Sequence, residues 1–321
     1  MKIILFVVMV GYTSLPVILY LFPGILSLVI FSHLERIPYF VDLSRPEALL
    51  SHTCNFYLNT EKGVTVGVWH TLPASQWEGA VGKGLEWYRE TLRDGSPVFV
   101  YLHGNSGTRA LNYRVGLVKV LSAAGYHVFS FDYRGFGDST GTPSEAGVTH
   151  DALYVYNWVK KQSTGPVYLW GHSLGSGVAT NAALKIQEQG SVADAVVLYA
   201  PFTSIMDLLG NNSLNKVYKT FPGFKQLLWK TLQKNKLKFA NNENVKALES
   251  PLLILHSEDD DTVPFTMGLE LFRISLQSKK ERNRDVPVKM VAYSADLKYD
   301  HSFVYLDPHL NDVVRNFLRN L

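Results

Sequence analysis

The sequence predicts an α/β fold: a mostly parallel sheet covered by helices on both faces. Three observations lead there. Short apolar runs, long enough for strands buried on both faces, alternate with amphipathic stretches of helical length. One of these runs passes through a sharp glycine-flanked turn into a small-residue helix, Tyr168–Ala183. The residues able to do chemistry follow the apolar runs, and ligands of such sheets bind beyond the carboxyl ends of the strands. At 321 residues and 46% hydrophobic, the chain has material for one large domain or two small ones with a well-filled core. A net charge of +3 is too small to suggest nucleic acid as a partner, and the single cysteine, Cys54, excludes an intramolecular disulfide.

Residues Ile3–Phe31 form the most apolar region, about 29 residues and long enough to cross a bilayer. Lys2 is the only charge before His33, and Pro16 and Pro23 interrupt the run. A single membrane anchor over residues 1–33 is the reading adopted; a cleaved signal peptide and a buried core helix compete with it. Residues 34–62 read as an irregular connector. Gly63–His70 has the β-branched content of a strand, and Leu72–Ser96 reads as a polar surface excursion. Strands are then expected at Val98–Leu102, Tyr126–Phe131, Val167–Trp170, Ala195–Tyr199, Leu252–Leu255 and Val288–Ala292. Helices are expected at Arg109–Ala123, Glu145–Lys161, Ser176–Gln187, Phe265–Leu276 and Pro308–Leu318. Residues 203–245 break the alternation and read as a cap over the site. From Leu208 to Asn242 the cap holds seven lysines and no acid, interleaved with aromatic and aliphatic residues. It is either a solvated helix face over its own core or a lid that meets anionic lipid.

The turn Gly171-His172-Ser173-Leu174-Gly175 has the G-x-S-x-G pattern of a nucleophile elbow, the strand–turn–helix that presents a serine in α/β-hydrolases. Strained backbone at Ser173 would lift its Oγ above the sheet and aim the Leu174 N–H at a reacting oxygen. A serine needs a base, and the base an orienting carboxylate, in the chain order Ser, acid, His. The acid falls in Glu258-Asp259-Asp260-Asp261 after the strand Leu252–Leu255; Asp260 is the choice and Asp259 the reserve. The base is His301, in the loop before the last helix, with His309 as runner-up. A second oxyanion donor belongs to the loop His103-Gly104-Asn105-Ser106-Gly107, at Asn105 or Ser106. His103 and His172 read as buried structural partners, and the Asp and Arg of Asp132–Ser139 as loop-fixing ion pairs. No metal or cofactor is expected, because the acidic run has no convergent ligands elsewhere.

Beyond these residues, D-Y-R-G-F-G-D-S (Asp132–Ser139), P-L-L-I-L-H-x-E-D-D (Pro251–Asp260), V-G-V-W-H-T (Val66–Thr71), F-P-G-F (Phe221–Phe224) and K-F-A-N-N-E-N-V-K (Lys238–Lys246) resemble the α/β-hydrolase domain-containing protein 12 family and its 12B branch. The resemblance covers about residues 36–320. It implies an α/β-hydrolase domain over 63–321 with Ser173, Asp260 and His301 in the triad positions. It also implies hydrolysis of lysophospholipids, chiefly lysophosphatidylserine, and of monoacylglycerols such as 2-arachidonoylglycerol. The family's place is the endoplasmic-reticulum membrane, single-pass, with the catalytic domain luminal. Two departures stand out. The sequence starts almost at the apolar run, without the family's long polar segment, and Ser51-His52-Thr53 lacks the asparagine of a family sequon; Asn211-Asn212-Ser213 is a separate potential acceptor. Two other readings share these residues: a thioesterase, depalmitoylase or soluble-substrate esterase, and a catalytically silent binding protein on the same fold.

Overall fold

The computed structural model describes residues 2–211, 218, 221–283 and 285–321, with the side chains of residues 2–9, 11 and 211 outside that description. The side chain of the possible acceptor Asn211 and the cap lysines Lys216 and Lys219 therefore fall outside that description. Eight strands form one sheet: β1 (Thr53–Glu61), β2 (Val64–Thr71), β3 (Val98–Leu102), β4 (His127–Phe131), β5 (Val167–His172), β6 (Ala195–Tyr199), β7 (Leu252–Ser257) and β8 (Val288–Tyr293). Their order is β1-β2-β4-β3-β5-β6-β7-β8. β1 and β2 run antiparallel to their neighbours; every pair from β4 to β8 is parallel. The seven expected strands are β2 to β8, each within two residues of the bounds read from sequence.

Eleven helices are described: α1 (Lys2–Leu21), α2 (Ile25–Phe31), α3 (Leu85–Thr91), α4 (Asn112–Ala123), α5 (Glu145–Gln162), α6 (Leu174–Glu188), α7 (Ile205–Asn211), α8 (Phe224–Lys234), α9 (Asn241–Ala247), α10 (Phe265–Glu281) and α11 (Leu310–Leu318). The sheet has a core on each face because successive side chains point to opposite sides. On β3, Val98, Val100 and Leu102 enter the core that includes α5 and α6, while Phe99 and Tyr101 enter the one that includes α4 and α11. Apolar residues on both faces explain why β3 to β7 are continuous apolar runs rather than alternating ones.

Three boundaries differ from those read in the sequence. The connector expected over 34–62 contains β1, an edge strand paired along β2. Its residues, TCNFYLNTE, are half-exposed in an irregular pattern, so no alternation marks them. The cap expected over 203–245 ends earlier, since α9 belongs to the body. There, buried Asn241 accepts from Thr180 Oγ1 at 2.6 Å and donates to Ser176 Oγ at 3.0 Å.

The third difference concerns the N-terminus. The apolar segment is two helices, broken at Phe22-Pro23-Gly24. Among the described residues no single helix is long and apolar enough to cross a membrane; Tyr12–Leu21 and Ile25–Phe31 qualify together but are bent by 103°. α2 is built into the domain, with Leu26, Ile30 and Phe31 buried in the α5–α6 core. The Phe31 ring meets Phe136 and Phe239 edge-on at 6.5 and 6.2 Å. Asn235, following α8, accepts from Ser27 Oγ at 3.0 Å and donates to the Pro23 carbonyl at 2.9 Å. A boundary at residue 33 would cut through this packing.

The loop Asp132–Ser139 is fixed by ion pairs, as its composition suggests, but the organising residue is Arg109. Its Nη1 lies 2.6 Å from Asp132 and 2.6 Å from Asp138, with the guanidinium over Trp69. Arg134 makes the second anchor, 2.8 Å from Asp151 and 2.8 Å from Glu61. Removing one partner of a buried pair strands the other charge, so Arg109→Leu is expected to lower unfolding free energy by about 3–5 kcal/mol, measured as a fall in the urea midpoint. A change below about 1 kcal/mol would mean the pair is not organising this loop.

Candidate active site

β5 ends at His172 and α6 begins at Leu174, leaving Ser173 alone at the turn with φ 54° and ψ −119°. That conformation costs a non-glycine residue about 1–3 kcal/mol and persists only where the surroundings over-determine it. Here they do. The Ser173 N–H donates to the Tyr199 carbonyl at 3.0 Å. A Cβ on Gly171 would stand 2.4 Å from the Gly175 carbonyl oxygen, and one on Gly175 would stand 2.0 Å from that of Leu102. The two glycines are therefore required by close approach, which lets α6 start directly behind β5. Ser173 is 8% exposed, and among the described residues its hydroxyl has no hydrogen-bond partner.

Leu174 is the first residue of α6, so its N–H has no intrahelical acceptor and lies at the positive end of the helix dipole. Across from it is the loop after β3. The Ser106 N–H is taken by the Phe31 carbonyl at 3.0 Å, which removes it as a donor to substrate. Among the described residues the Asn105 N–H has no backbone acceptor, and Asn105 lines a cavity of about 180 Å³ together with Ser173 and Leu174. Of the two alternatives in this loop the geometry favours Asn105.

The structure brings Asp260 and His301 together and leaves the reserves apart. His301 Nδ1 is 2.8 Å from Asp260 Oδ2. The other carboxylate oxygen accepts from the Val263 and Thr262 N–H groups at 2.7 and 2.9 Å. Burial alone raises the Asp260 carboxyl, but hydrogen bonds from His256 and His301 outweigh it and hold the group well below the usual carboxylate range. It is therefore ionised wherever an imidazole titrates. Asp259 turns away: its Oδ1 accepts from Ser257 Oγ at 2.5 Å and from the Asp300 N–H at 3.1 Å, joining the acid loop to the histidine loop. His309 sits exposed at the start of α11. Asp260, Asp261 and Asp300 bring carboxylate oxygens within 4.8 Å of one another, but both Asp260 oxygens are already occupied by the bonds above.

Histidines surround this pair in supporting positions. His172 lies flat on Tyr199, ring centroids 4.3 Å apart, and its Nε2 donates to the His301 carbonyl at 2.9 Å. Burial, with a contribution from His301, keeps its basicity far below that of a free imidazole. It is a neutral strut linking the elbow to the base loop. His103, also neutral by burial, sits under the oxyanion loop with Nδ1 2.6 Å from the Gly104 carbonyl.

Two supports carried no sequence signal. Buried His256 places Nε2 3.2 Å from Asp260 and 2.9 Å from the Val263 carbonyl. Arg114, fully buried on α4, donates through Nη2 to the carbonyls of Asn105 at 3.1 Å and Ser106 at 2.7 Å, and through Nη1 to that of Thr108 at 3.0 Å. A lone Arg in an amphipathic stretch reads as surface; only the folded loop shows what it holds.

Comparison with known proteins agrees with this geometry. The sequence pattern of the alpha/beta hydrolase fold matches residues 97–221. The chain is 47% identical over 311 residues to a lysophosphatidylserine lipase, ABHD12, of Xenopus tropicalis, covering 96% of this chain and 80% of that protein. The chain belongs to the ABHD12 family. Protein ABHD12B of Homo sapiens is also 47% identical, over 309 residues, covering 96% of this chain and 84% of that one. Family membership and fold together make the chain a carboxylic-ester hydrolase. Among solved structures, an esterase of Pyrococcus furiosus superposes with a TM-score of 0.62 at 17% identity, covering 89% of this chain and 96% of that one. Est1E of Butyrivibrio proteoclasticus gives 0.55 at 16% identity, with 83% and 96% covered. At those identities the likeness is one of fold.

Asp260→Asn is expected to lower kcat by a factor on the order of 10⁴, because an amide selects the wrong imidazole tautomer. Asp259→Asn should lose far less. Steady-state ester hydrolysis on both variants reads the ranking, and the reverse order would move the acid to Asp259.

Proposed function

We propose that this chain is a membrane-associated serine hydrolase that cleaves the acyl ester of lysophospholipids, with lysophosphatidylserine as the main substrate, and of monoacylglycerols. The observation that carries the reading is the Asp260–His301 pair at 2.8 Å beside a serine held in elbow geometry. Ser173 Oγ attacks the acyl carbonyl as His301 Nε2 takes its proton, and the ionised Asp260 keeps Nε2 the basic nitrogen. The oxyanion forms against the Leu174 and Asn105 N–H groups. Collapse expels the glycerol oxygen, which leaves with the proton from His301. Water then releases the acyl group from Ser173 by the same base. The head-group preference is supported by the 47% identity to the lysophosphatidylserine lipase of Xenopus tropicalis.

Membrane association rests on surface chemistry. α1 and the bend expose Val17, Leu21 and Phe22. Beside them, α8 buries Phe224, Leu228 and Leu232 and turns Lys225, Trp229, Lys230 and Lys234 outward. An apolar surface bordered by lysines suits an anionic leaflet. The family's location, the endoplasmic-reticulum membrane with the catalytic domain luminal, is part of the same proposal.

Ser173→Ala is expected to lose at least about 10³-fold in hydrolysis and all labelling by a fluorophosphonate probe, with an unchanged circular dichroism spectrum. A variant keeping a tenth of wild-type activity would remove Ser173 from the mechanism. Labelling of the wild type without hydrolysis in a lipid panel would favour a thioesterase or soluble-ester reading instead.

Each lysine near an anionic surface contributes about 1 kcal/mol within a Debye length. Replacing Lys225, Lys230, Lys234 and Lys236 with Gln should therefore lower kcat/KM for lysophosphatidylserine more than for monoacylglycerol. Added salt should shrink the same preference in the wild type. Equal losses on both substrates would make the lysines mere solvation of the cap.

A further inference from the structure

The cavity of about 180 Å³ beside Ser173 is lined by buried Phe202 and Val263, and two further apolar walls come from other places in the chain. One is the cap, through Ile205, Leu208 and Leu209 of α7. The other is α2, through Val29 and Ile30, which lie far ahead of the first catalytic residue in sequence. α2 is not loosely applied. The chain leaving it runs along the oxyanion loop: the carbonyls of Phe31, Glu35 and Ile37 accept from the N–H groups of Ser106, Gly107 and Thr108 at 3.0, 2.9 and 2.8 Å. Glu35 Oε2 adds a bond from Ser106 Oγ at 3.0 Å. Phe31, fully buried, plugs the junction. The segment that walls the cavity is thus the one that fixes the loop carrying Asn105.

We propose that Val29 and Ile30 are specificity-determining residues, and that α2 and α7 together hold the acyl chain of the substrate. The inference rests on the hydrolase reading above. An ester whose carbonyl oxygen faces the Leu174 and Asn105 amides has its acyl chain directed into this cavity, since the lining there is apolar. Val29 is 57% exposed while Ile30 is buried, so Val29 stands at the mouth and Ile30 inside. A long chain therefore passes Ile30 and leaves between Val29 and α7, whereas a short chain stops before the mouth. Selection of chain length then lies with the N-terminal segment as much as with the cap.

The test uses the full chain in detergent micelles with butyryl and palmitoyl p-nitrophenyl esters. Two variants at the exposed mouth put the fold at little risk: Val29→Trp blocks the exit, and Val29→Asp sets a charge that an alkyl chain must pass. Each is expected to lower the palmitoyl-to-butyryl ratio of kcat/KM by about tenfold or more, the size of discrimination that pocket contacts with an alkyl group supply. The loss should fall mainly in KM for the long ester. Fluorophosphonate labelling of Ser173 is followed in parallel. Wild-type labelling with a ratio unchanged within about twofold in both variants overturns this inference alone. Absence of labelling in the wild type overturns the hydrolase reading and this inference with it.

Discussion

Ser173 is held in a backbone conformation that an L-residue avoids, and the rest of the site is arranged around keeping it there. A turn at φ 54° and ψ −119° reverses the chain between β5 and α6 with no intervening loop. Only because Gly171 and Gly175 carry no Cβ can the first turn of α6 lie against β5 and the end of β3. That close approach has two consequences. It exposes the Leu174 amide at a helix N-terminus, where donor and dipole act in the same direction. It also leaves Gly104, on the neighbouring loop, with its Cα hydrogen facing the Ser173 Cβ, where a side chain would intrude within 3.2 Å.

The other half of the oxyanion site depends on groups that belong to no catalytic motif. The loop after β3 has few partners of its own. Arg114 gathers its carbonyls from below, and residues 31–37 bind its amides from outside. Because each outside bond consumes an N–H, the pattern also selects: the Ser106 N–H is used structurally, while among the described residues the Asn105 N–H has no backbone acceptor. The N-terminal segment is in this sense part of the hydrolase domain, and α1 is joined to the site by one short bend.

Around the acid and base, the same residue type serves different ends according to what each ring faces. His301 faces the Asp260 carboxylate. His172 faces a backbone carbonyl and an aromatic ring, and burial leaves it neutral. His256 supports Asp260 from inside the protein. Asp259 and Asp260 are adjacent in sequence, yet one ties two loops together and the other faces the imidazole. Desolvation would disfavour the charge on Asp260, and the hydrogen bonds it accepts reverse the balance.

Local signals suffice for the parallel sheet, and they suggest an order of serine, acid and histidine. Both are written in short-range pattern: uninterrupted apolar runs for strands buried on both faces, glycines at fixed spacing around a serine, loop residues after strand ends. Loop position also favours Asp260 and His301 over their neighbours, and the structure sets these two side chains 2.8 Å apart. Local signals were not sufficient for β1, whose edge position removes the alternation that marks a strand. Nor did they reveal Arg109 and Arg114, whose partners are distant in sequence or are backbone carbonyls without any residue signature, or His256, whose contact with nearby Asp260 depends on how the strand end folds back. The largest difference is the apolar N-terminus. Composition alone reads Ile3–Phe31 as one span, because hydropathy records how apolar a residue is and not what covers it. Only the tertiary structure decides that α2 is covered by Phe136, Phe239 and the cap, and so packs with the domain at a bend of 103° from α1.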